Sequence, residues 1–426
     1  MLTRILHNSA DLCTFIDQLE LSLSQQQLRH VINMADALLV CDSDKTLAEL
    51  QRHAERVECV DASNMADTLR IATWTAEDVR RPVGQFMIRE ALARAQANGT
   101  LDAIYVSLDD SIARKHKRTR HIEPVDWHFD HVESTPYKPR HANGLAYLDC
   151  NVWIGGEAIT FDVQMYLREK TVRRINRHRA PDDRIGFLSK MRLARNMLQS
   201  LRPLLPDDVP VYILHDTWYA SARLIKFTHQ QDWHTITALK HNRKLNGQRL
   251  DQHSLALRHQ RYEHITVTAT DGTKTPYFTR TLEGRLEDVS FDLRVIDSKW
   301  HPRAPHSAYF GCTDFNLETQ DALQIYASRW GCETDNVYLK TRLGLGDFRV
   351  RPYEAVDKYV AVVHLGWAYV QWRFMRERSA QIQNPADIIR RHRDEHAVDW
   401  LTGACQEAVA TGDVQAVLNR FLRLDR

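Results

Sequence analysis

The stretch YASRWGCETDNVYLK, residues 326–340, carries the most specific pattern in this sequence of 426 residues. Tyr326, Arg329, Glu333 and Lys340 follow one another at intervals of three, four and seven residues. At about 100° per residue, these side chains fall within an arc of roughly 60° on one face of a helix. An Arg–Glu pair one turn apart, beside an exposed lysine, contributes only a few tenths of a kcal/mol. That interpretation leaves Tyr326 unexplained.

Acidic residues also follow two short apolar runs that are typical of β-strands. AIYVSL, residues 103–108, leads into Asp109 and Asp110, and VPVYIL, residues 209–214, is followed by Asp216 after one histidine. The carboxyl ends of strands are where α/β sheets bind ligands. An aspartate after a strand is also a common helix N-cap, so position alone leaves both interpretations open.

Three carboxylates from separate elements suit two-metal phosphoryl transfer. That chemistry uses two Mg²⁺ ions about 4 Å apart, one to activate the attacking oxygen and one to stabilise the leaving 3′ oxygen. Carboxylate oxygens are the hard ligands that Mg²⁺ and Mn²⁺ prefer. Neighbouring arginine, lysine and tyrosine side chains can hold phosphate oxygens. The pattern therefore predicts two-metal phosphoryl-transfer chemistry.

The spacing of the four residues resembles the Y-R-E-K signature of the DDE transposases of bacterial insertion sequences. All four letters and all three spacings match, and LDDS, LHDTWYAS and RLGLGDFRVR add to the resemblance, which spans about residues 100–355. The resemblance implies a ribonuclease-H-like core with a β-rich insertion. It implies that Asp109, Asp216 and Glu333 hold two Mg²⁺ ions, for which Mn²⁺ can substitute. The implied reaction is nicking at transposon ends and transfer of the freed 3′ hydroxyl to target DNA, with a DNA hairpin in related enzymes.

The resemblance also assigns residues that bind DNA. It implies that Tyr326, Arg329 and Lys340 contact the backbone near the cut. Trp330 matches an aromatic residue with which some relatives brace a distorted base. A tryptophan near a helix core is also a common packing residue, so both roles stay open for Trp330.

The first carboxylate has two adjacent candidates, Asp109 and Asp110. Side chains alternate along a strand, so only one of them can point into the site. The family motif fixes an acid before a serine or threonine. We favour Asp109, because Ser111 then lies two residues further on.

Basic residues form clusters although the formal net charge is only +2. Residues 112–120 contain five Lys or Arg residues and no acid, and residues 168–195 are similarly basic. Neutralising phosphates releases counterions, which favours DNA binding by such clusters, although solvated surfaces also carry charge runs. We predict DNA contacts by Lys115, Lys117 and Arg118, just beyond the first acid.

The expected fold class is an α/β ribonuclease-H-like catalytic core with a β-rich insertion, flanked by helical N- and C-terminal regions. The predicted domains are as follows: residues 1–98 are helical, 99–239 and 313–350 form the core, 240–312 form the insertion and 351–426 are helical. Residues 168–200 are expected to be helical. Either terminal region is a candidate for binding transposon ends.

Several other classes of protein are disfavoured. Seven scattered cysteines without a CxxC pair argue against both a disulfide scaffold and a structural zinc site, and indicate a reducing cytoplasm. No run approaches the roughly 18 apolar residues of a membrane span, so no membrane partner is expected. The histidines at 116–131 lack a zinc motif, and neither a GxxxxGK[ST] loop nor a GxSxG elbow is present.

The sequence therefore predicts a cytoplasmic, nucleoid-associated DNA transposase that works as a homodimer on transposon-end and target duplexes. One alternative is a domesticated or inactive copy that only binds DNA, against which the intact triad argues. Another alternative is a ribonuclease-H-like nuclease without strand transfer. The basic clusters and the β-rich segment argue against it, because a simple nuclease needs no grip on a second duplex.

Overall fold

A computed structural model describes residues 5–54, 62–131, 133–135, 137–268 and 272–422, without the side chains of residues 62, 330, 332 and 420–422. The protein has a mixed α/β architecture, in which one large mixed sheet is surrounded by helices. Within the described ranges, none of the helices combines the length and apolar character needed to cross a bilayer.

Helices fill the described part of the N-terminal region. They are α1 (Ala10–Gln18), α2 (Gln25–Val40), α3 (Leu47–His53), α4 (Ala62–Arg70) and α5 (Glu77–Asn98). A reciprocal capping box between Ser24 and Gln27 begins α2. Gly99 ends α5 in the left-handed conformation, with φ of 63°, which glycine adopts without steric cost. Local signals of this kind, which are visible in the sequence, divide the helical N-terminal region into separate helices.

Twelve strands follow in the described residues, ten of which form the central sheet. They are β1 (Ile104–Arg114), β2 (Asp126–Phe129), β3 (His141–Ile154), β4 (Glu157–Tyr166), β5 (Val211–His215), β6 (His234–Leu239), β7 (Lys244–Leu245), β8 (Gln248–Arg249), β9 (Glu263–Thr268), β10 (Lys274–Arg285), β11 (Asp292–Lys299) and β12 (Ala308–Cys312). The order across the sheet is β2–β3–β1–β5–β6–β12–β11–β10–β9, and β4 also pairs with β3. Strands β1, β5 and β6 are parallel neighbours, and the other pairs are antiparallel. Strands β7 and β8 form a separate small hairpin.

The β-rich segment 240–312 is continuous with the rest of the sheet. Strand β12 pairs with β6, from Tyr309 opposite Leu239 to Cys312 opposite Ile236. The segment therefore extends the central sheet through β9–β12, and only the hairpin β7–β8 lies apart from it. Local alternation in the sequence predicts the strands, but it does not reveal this long-range pairing.

Two of the predicted boundaries are wrong in detail. Strand β1 does not stop before Asp109, because pairing with β3 continues to Arg114 opposite Gly144. The segment 168–200 is not one helix. It contains α6 (Glu169–Asn176) and α7 (Lys190–Leu201), separated by a loop with a short 3₁₀ turn at Pro181–Asp183. A proline lacks the amide N–H that a helix interior needs, which accounts for the interruption.

The remaining helices complete the layers around the sheet. They are α8 (Ala222–His229), α9 (Leu250–Ala256), α10 (Thr319–Ala327), α11 (Gly331–Val337), α12 (Tyr353–Glu377), α13 (Pro385–Thr411) and α14 (Val414–Leu422). Helix α12 is buried along most of its length and packs against β4, α5 and α2. It therefore ties the N-terminal helices to the sheet, and its aromatic residues, such as Trp367 and Tyr369, belong to the main core.

Candidate active site

Strands β1 and β5 place Asp109 and Asp216 side by side. The two strands are parallel, and their register ends with Leu108 opposite His215, so the aspartates are the next residue on each strand. Neighbouring strands lie about 4.8 Å apart. Asp216 does not cap the next helix, because α8 begins after Ser221, whose hydroxyl accepts the Leu224 amide. Oδ1 of Asp216 instead accepts the main-chain amides of Trp218, at 2.8 Å, and Tyr219, at 3.2 Å, so Asp216 caps the turn that precedes α8.

Arg329 connects the first aspartate to the helical segment that carries Glu333. Its guanidinium lies 3.6 Å from Oδ2 of Asp109 and 3.4 Å from Oε1 of Glu333. The Arg329 side chain is only 16% exposed. Residues from β1, β5 and the segment after α10 thus converge on one place, as the sequence pattern predicts.

The adjacent Asp110 faces a different set of partners. Its Oδ1 accepts a hydrogen bond of 2.9 Å from the Tyr219 hydroxyl, and its Oδ2 pairs with the Lys190 ammonium. Asp109 instead faces Arg329, as expected from the alternation of side chains along β1. Burial raises the pKa of Asp109 to about 6, although Arg329 opposes this shift.

The helical segment around Glu333 is less regular than the single helix that its spacing predicts. A 3₁₀ turn, Ser328–Trp330, separates α10 from α11, and a π-helical turn, Tyr338–Arg342, follows. Such irregular turns are frequent at functional sites. At Gly331 the backbone lies so close to β3 that a Cβ atom would be 2.5 Å from Cζ2 of Trp153. The absence of a side chain at position 331 therefore allows Glu333 to approach the sheet.

Two other members of the predicted stripe also point toward this place. The Lys340 ammonium donates a hydrogen bond of 2.9 Å to the Ser111 hydroxyl on β1, and burial lowers its pKa. The Tyr326 ring packs edge-on against Phe310, with centroids 4.9 Å apart. The side chain of Trp330 lies outside the described part of the structure, so its predicted contact with a base stays a prediction.

The three predicted basic contacts differ from one another. Lys117 and Arg118 are exposed. The Lys115 ammonium instead donates to the main-chain carbonyl of Phe348 and lies 3.9 Å from the centroid of its ring. Burial lowers the pKa of Lys115 to about 8. The Lys115 charge is therefore engaged inside the protein, whereas its two neighbours face solvent.

A second, buried group of acids, Asp149 and Asp335, lies beside the site, and the sequence analysis missed it. Asp149 on β3 pairs in register with Asp109 and is fully buried. Its oxygens accept hydrogen bonds from the amides of Asn151, at 2.7 Å, and Asn336, at 3.4 Å. Burial and then the charge of Asp109 raise the pKa of Asp149 well above its ordinary value. In the sequence, an aspartate within the apolar run GLAYLDCNVWI is the feature that could have indicated this buried acid.

Asp335 is the other buried acid of this group. It accepts a hydrogen bond of 2.9 Å from the Thr160 hydroxyl on β4, and burial raises its pKa to about 7. Gln371 of α12 reaches the same carboxylate oxygen at 3.5 Å. Asp335 thus connects the segment that carries Glu333 to both the sheet and α12.

A cavity of about 500 Å³ opens beside Asp110, and none of Asp109, Asp216 and Glu333 is among its lining residues. Asp110, Ser111 and Lys340 line one part of the cavity. Its other walls include Phe129, His131, Arg168 and Trp218, together with Lys190, which pairs with Asp110, and Arg114, which pairs with Asp130. A cleft with cationic and aromatic walls suits a nucleic-acid strand, because the cations attract phosphates and the rings stack on bases.

Comparison with known proteins identifies the domain that contains this site. A search of curated proteins found no match. The model of the family described as "Transposase DDE domain" matches residues 189–367. The matched span includes Asp216, Arg329 and Glu333, and Asp109 precedes it. Over residues 189–367, this chain is therefore similar to the transposase DDE domain family.

Proposed function

We propose that this protein is a cut-and-paste DNA transposase that nicks DNA at transposon ends and transfers the 3′ hydroxyl to target DNA. The observation that carries the proposal is the convergence of Asp109, Asp216 and Glu333 from three separate elements. The family match supports it, because that family is defined by a transposase domain.

The carboxylates fit a pair of divalent metal ions. Their oxygens are hard ligands, and three acids meet at a place where Arg329 is the cation that bridges two of them. Burial, together with the charges of Asp110 and Asp216, raises the pKa of Asp109, so added positive charge would favour its ionised form. When bound, two Mg²⁺ or Mn²⁺ ions supply activation of the attacking oxygen and stabilisation of the leaving 3′ oxygen.

The cationic side chains around the carboxylates position the DNA in this proposal. Arg329 and Lys340 bind non-bridging phosphate oxygens, and the Tyr326 phenol contacts the backbone beside them. Their hydrogen bonds and packing against β1 and Phe310 restrict their rotamers before DNA arrives. A group that is already oriented loses less entropy on binding, which favours catalysis.

The arrangement of the sheet supports a ribonuclease-H-like core. The antiparallel set β4–β3–β1 continues into the parallel set β1–β5–β6, and the proposed ligands lie on β1 and just after β5. In this proposal residues 99–239 and 313–350 form the core, and residues 240–312 are an insertion whose strands extend its sheet. The helical regions 1–98 and 351–426 flank the core.

DNA contacts beyond the scissile bond are assigned to the exposed basic residues. Lys117 and Arg118 lie beyond the first acid, and the basic segment 168–195 contributes Arg168 and Lys190 to the wall of the cavity. Pairing of two transposon ends requires two copies of the active site, so the working form in this proposal is a homodimer on DNA.

The test is cleavage of a labelled duplex that carries the element's own terminal sequence, with Mg²⁺ or with EDTA. Wild type is expected to nick the duplex only with the metal, and Glu333→Gln is expected to abolish the nicks. Glu287→Gln is the matched control, because Glu287 is an exposed glutamate in the β-rich segment. Retention of cleavage by Glu333→Gln would refute the proposal.

Two further outcomes separate the alternatives. Binding without cleavage by the wild type, even with Mn²⁺, would identify a DNA-binding protein that does not cut. Cleavage without joining, when pre-cut ends and a target plasmid are supplied, would identify a nuclease without strand transfer.

A further inference from the structure

A buried cluster of one aspartate and two histidines joins the N-terminal helices to the C-terminal helices. Asp36 lies in α2, and His392 and His396 lie one turn apart on α13. Their exposed fractions are 0%, 0% and 2%. The cluster shares no residue with the proposed catalytic site.

The ligand atoms of the three side chains converge. Oδ1 of Asp36 lies 2.7 Å from Nε2 of His392 and 2.9 Å from Nε2 of His396. All three atoms lie within 4.8 Å of one another. Two histidines at i and i+4 on one helix face, facing a carboxylate on a second helix, form a common layout for a metal ion.

The charge of the cluster also points to a cation. A fully buried carboxylate requires a compensating positive charge. Among the described residues, no lysine or arginine forms an ion pair with Asp36, and its close charged partners are the two imidazoles. The hydrogen bond with Asp36 raises the pKa of His396 despite its burial, so the compensating charge is either an imidazolium or a bound metal ion.

Neighbouring groups orient two of the three proposed ligands, Asp36 and His392. The Ser9 amide donates to Oδ2 of Asp36 at 2.9 Å, which leaves Oδ1 directed at the histidines. The Tyr369 hydroxyl lies 3.4 Å from Nδ1 of His392. Such contacts to the far side of a ligand orient it toward a metal ion. In the described residues, Nδ1 of His396 has no hydrogen-bond partner.

We propose that Asp36, His392 and His396 bind a divalent transition-metal ion of the Zn²⁺ class, which links α2 to α13. Imidazole nitrogens and a carboxylate oxygen are ligands that Zn²⁺ accepts at about 2.0–2.2 Å. Tetrahedral ligands at that distance are about 3.3 Å apart, so binding needs an opening of about half an ångström between Asp36 and each imidazole. Small side-chain rotations provide that opening. The role is structural, because burial keeps the cluster away from solvent and substrate.

The experiment titrates the full-length, tag-free protein with Zn²⁺ and with Co²⁺ after chelation and dialysis. We expect one equivalent of Zn²⁺ to raise the thermal unfolding temperature by several degrees, because ligand binding to the folded state stabilises it. Bound Co²⁺ is expected to show visible absorption of nitrogen and oxygen ligation without a thiolate charge-transfer band. A thiolate band would place the ion on cysteines and overturn the proposal, and so would an absence of binding.

Variants locate the ion. Asp36→Asn and His396→Gln keep groups that can hydrogen-bond, and we expect both to lose the equivalent of bound metal. Glu333→Gln removes a proposed catalytic ligand and His7→Gln removes an exposed histidine, and both are expected to keep it. If Asp36→Asn binds as wild type does, or if Glu333→Gln loses the ion, the proposal is wrong. If a variant fails to fold, the Co²⁺ spectrum of the wild type still tests for histidine ligation, because the carboxylates of the proposed catalytic site supply no nitrogen ligand, and a spectrum without nitrogen ligation would overturn the proposal.

Discussion

Two groups of acids lie close together in this protein, an outer group that is partly exposed and an inner group that is buried, and they differ in the partners that balance their charge. Asp109 and Glu333 have side chains that are 21% and 41% exposed and share the Arg329 guanidinium. Asp149 and Asp335 are buried and accept hydrogen bonds from neutral amide and hydroxyl groups. Burial raises the pKa of both inner acids and favours their protonated forms, although the hydrogen bonds that they accept oppose this shift.

In the proposed function, the difference separates the proposed metal ligands from supporting residues of the same chemical type. The outer acids remain accessible to a cation and to DNA. The inner acids join β3, β4 and α12 to the segment that carries Glu333. Residue type alone would assign both groups to catalysis, whereas burial and partners assign only the outer one.

The largest expected effect on cleavage is the difference between aspartate-to-asparagine substitutions in the outer and inner groups of acids. We expect Asp109→Asn to lower metal-dependent cleavage by roughly three orders of magnitude, because a metal ligand contributes several kcal/mol to the transition state. We expect Asp149→Asn to change it by less than about tenfold, because asparagine resembles the protonated acid that burial favours. Single-turnover cleavage measures both, with thermal unfolding as the check on folding. Equal losses in the two variants would remove the distinction between the two groups.

The second prediction tests whether the close contact between Gly331 and Trp153 of β3 positions Glu333. Gly331→Ala places a methyl group where Trp153 lies, so the helical segment must move away from β3. We expect cleavage to fall by about a hundredfold, because a displacement of about 1 Å can have that effect. Adding Trp153→Leu is expected to restore part of the activity by making space. If the double variant is no better than Gly331→Ala, steric contact with Trp153 is not the cause.

The outer acids can be proposed as site residues from the sequence because their signals are local. A strand-like run before Asp109 and Asp216 and the spacing around Glu333 suffice to bring them to one edge. The inner acids have no such local signal, because their position beside the site depends on which strands pair with each other in the sheet. The same limit applies to Asp36 and His392, which are far apart in the chain and meet only through helix packing.

Errors in the predicted elements have the same physical origin. The acids at 109–110 suggest the end of a strand, but β1 continues because β3 supplies hydrogen bonds beyond them. The strands of residues 240–312 are predicted by alternation, yet their place in the central sheet is set by the pairing of β12 with β6. Long-range pairing outweighs local composition at both positions.

A smaller effect, on DNA binding, is expected from a comparison of exposed and engaged basic residues. Lys117 and Arg118 face solvent, whereas Lys115 is engaged with Phe348. We expect the double variant Lys117→Ala, Arg118→Ala to weaken DNA binding by about tenfold and to lower the salt dependence by about one unit for each lost phosphate contact. Lys115→Met, which keeps a long apolar side chain, is expected to leave both unchanged. Fluorescence anisotropy at several salt concentrations measures them, and an equal loss with Lys115→Met would show that its charge reaches DNA.

The smallest effect is on stability and has a defined direction with pH. Burial lowers the pKa of Lys115 to about 8 in the folded protein, below the ordinary value near 10.5. Between these values the unfolded chain binds the proton and the folded chain does not, so wild-type stability rises as pH increases from about 8 to 10.5. The rise is expected to be about 1 kcal/mol once partial screening by solvent is included. Lys115→Met removes it, so the difference between the unfolding free energies of the two proteins should change across this interval and stay constant below pH 8. Urea unfolding at half-unit pH steps measures that difference. Parallel curves up to pH 10.5 would mean that the Lys115 charge is solvated, and would place it with Lys117 and Arg118 among the groups that are open to DNA.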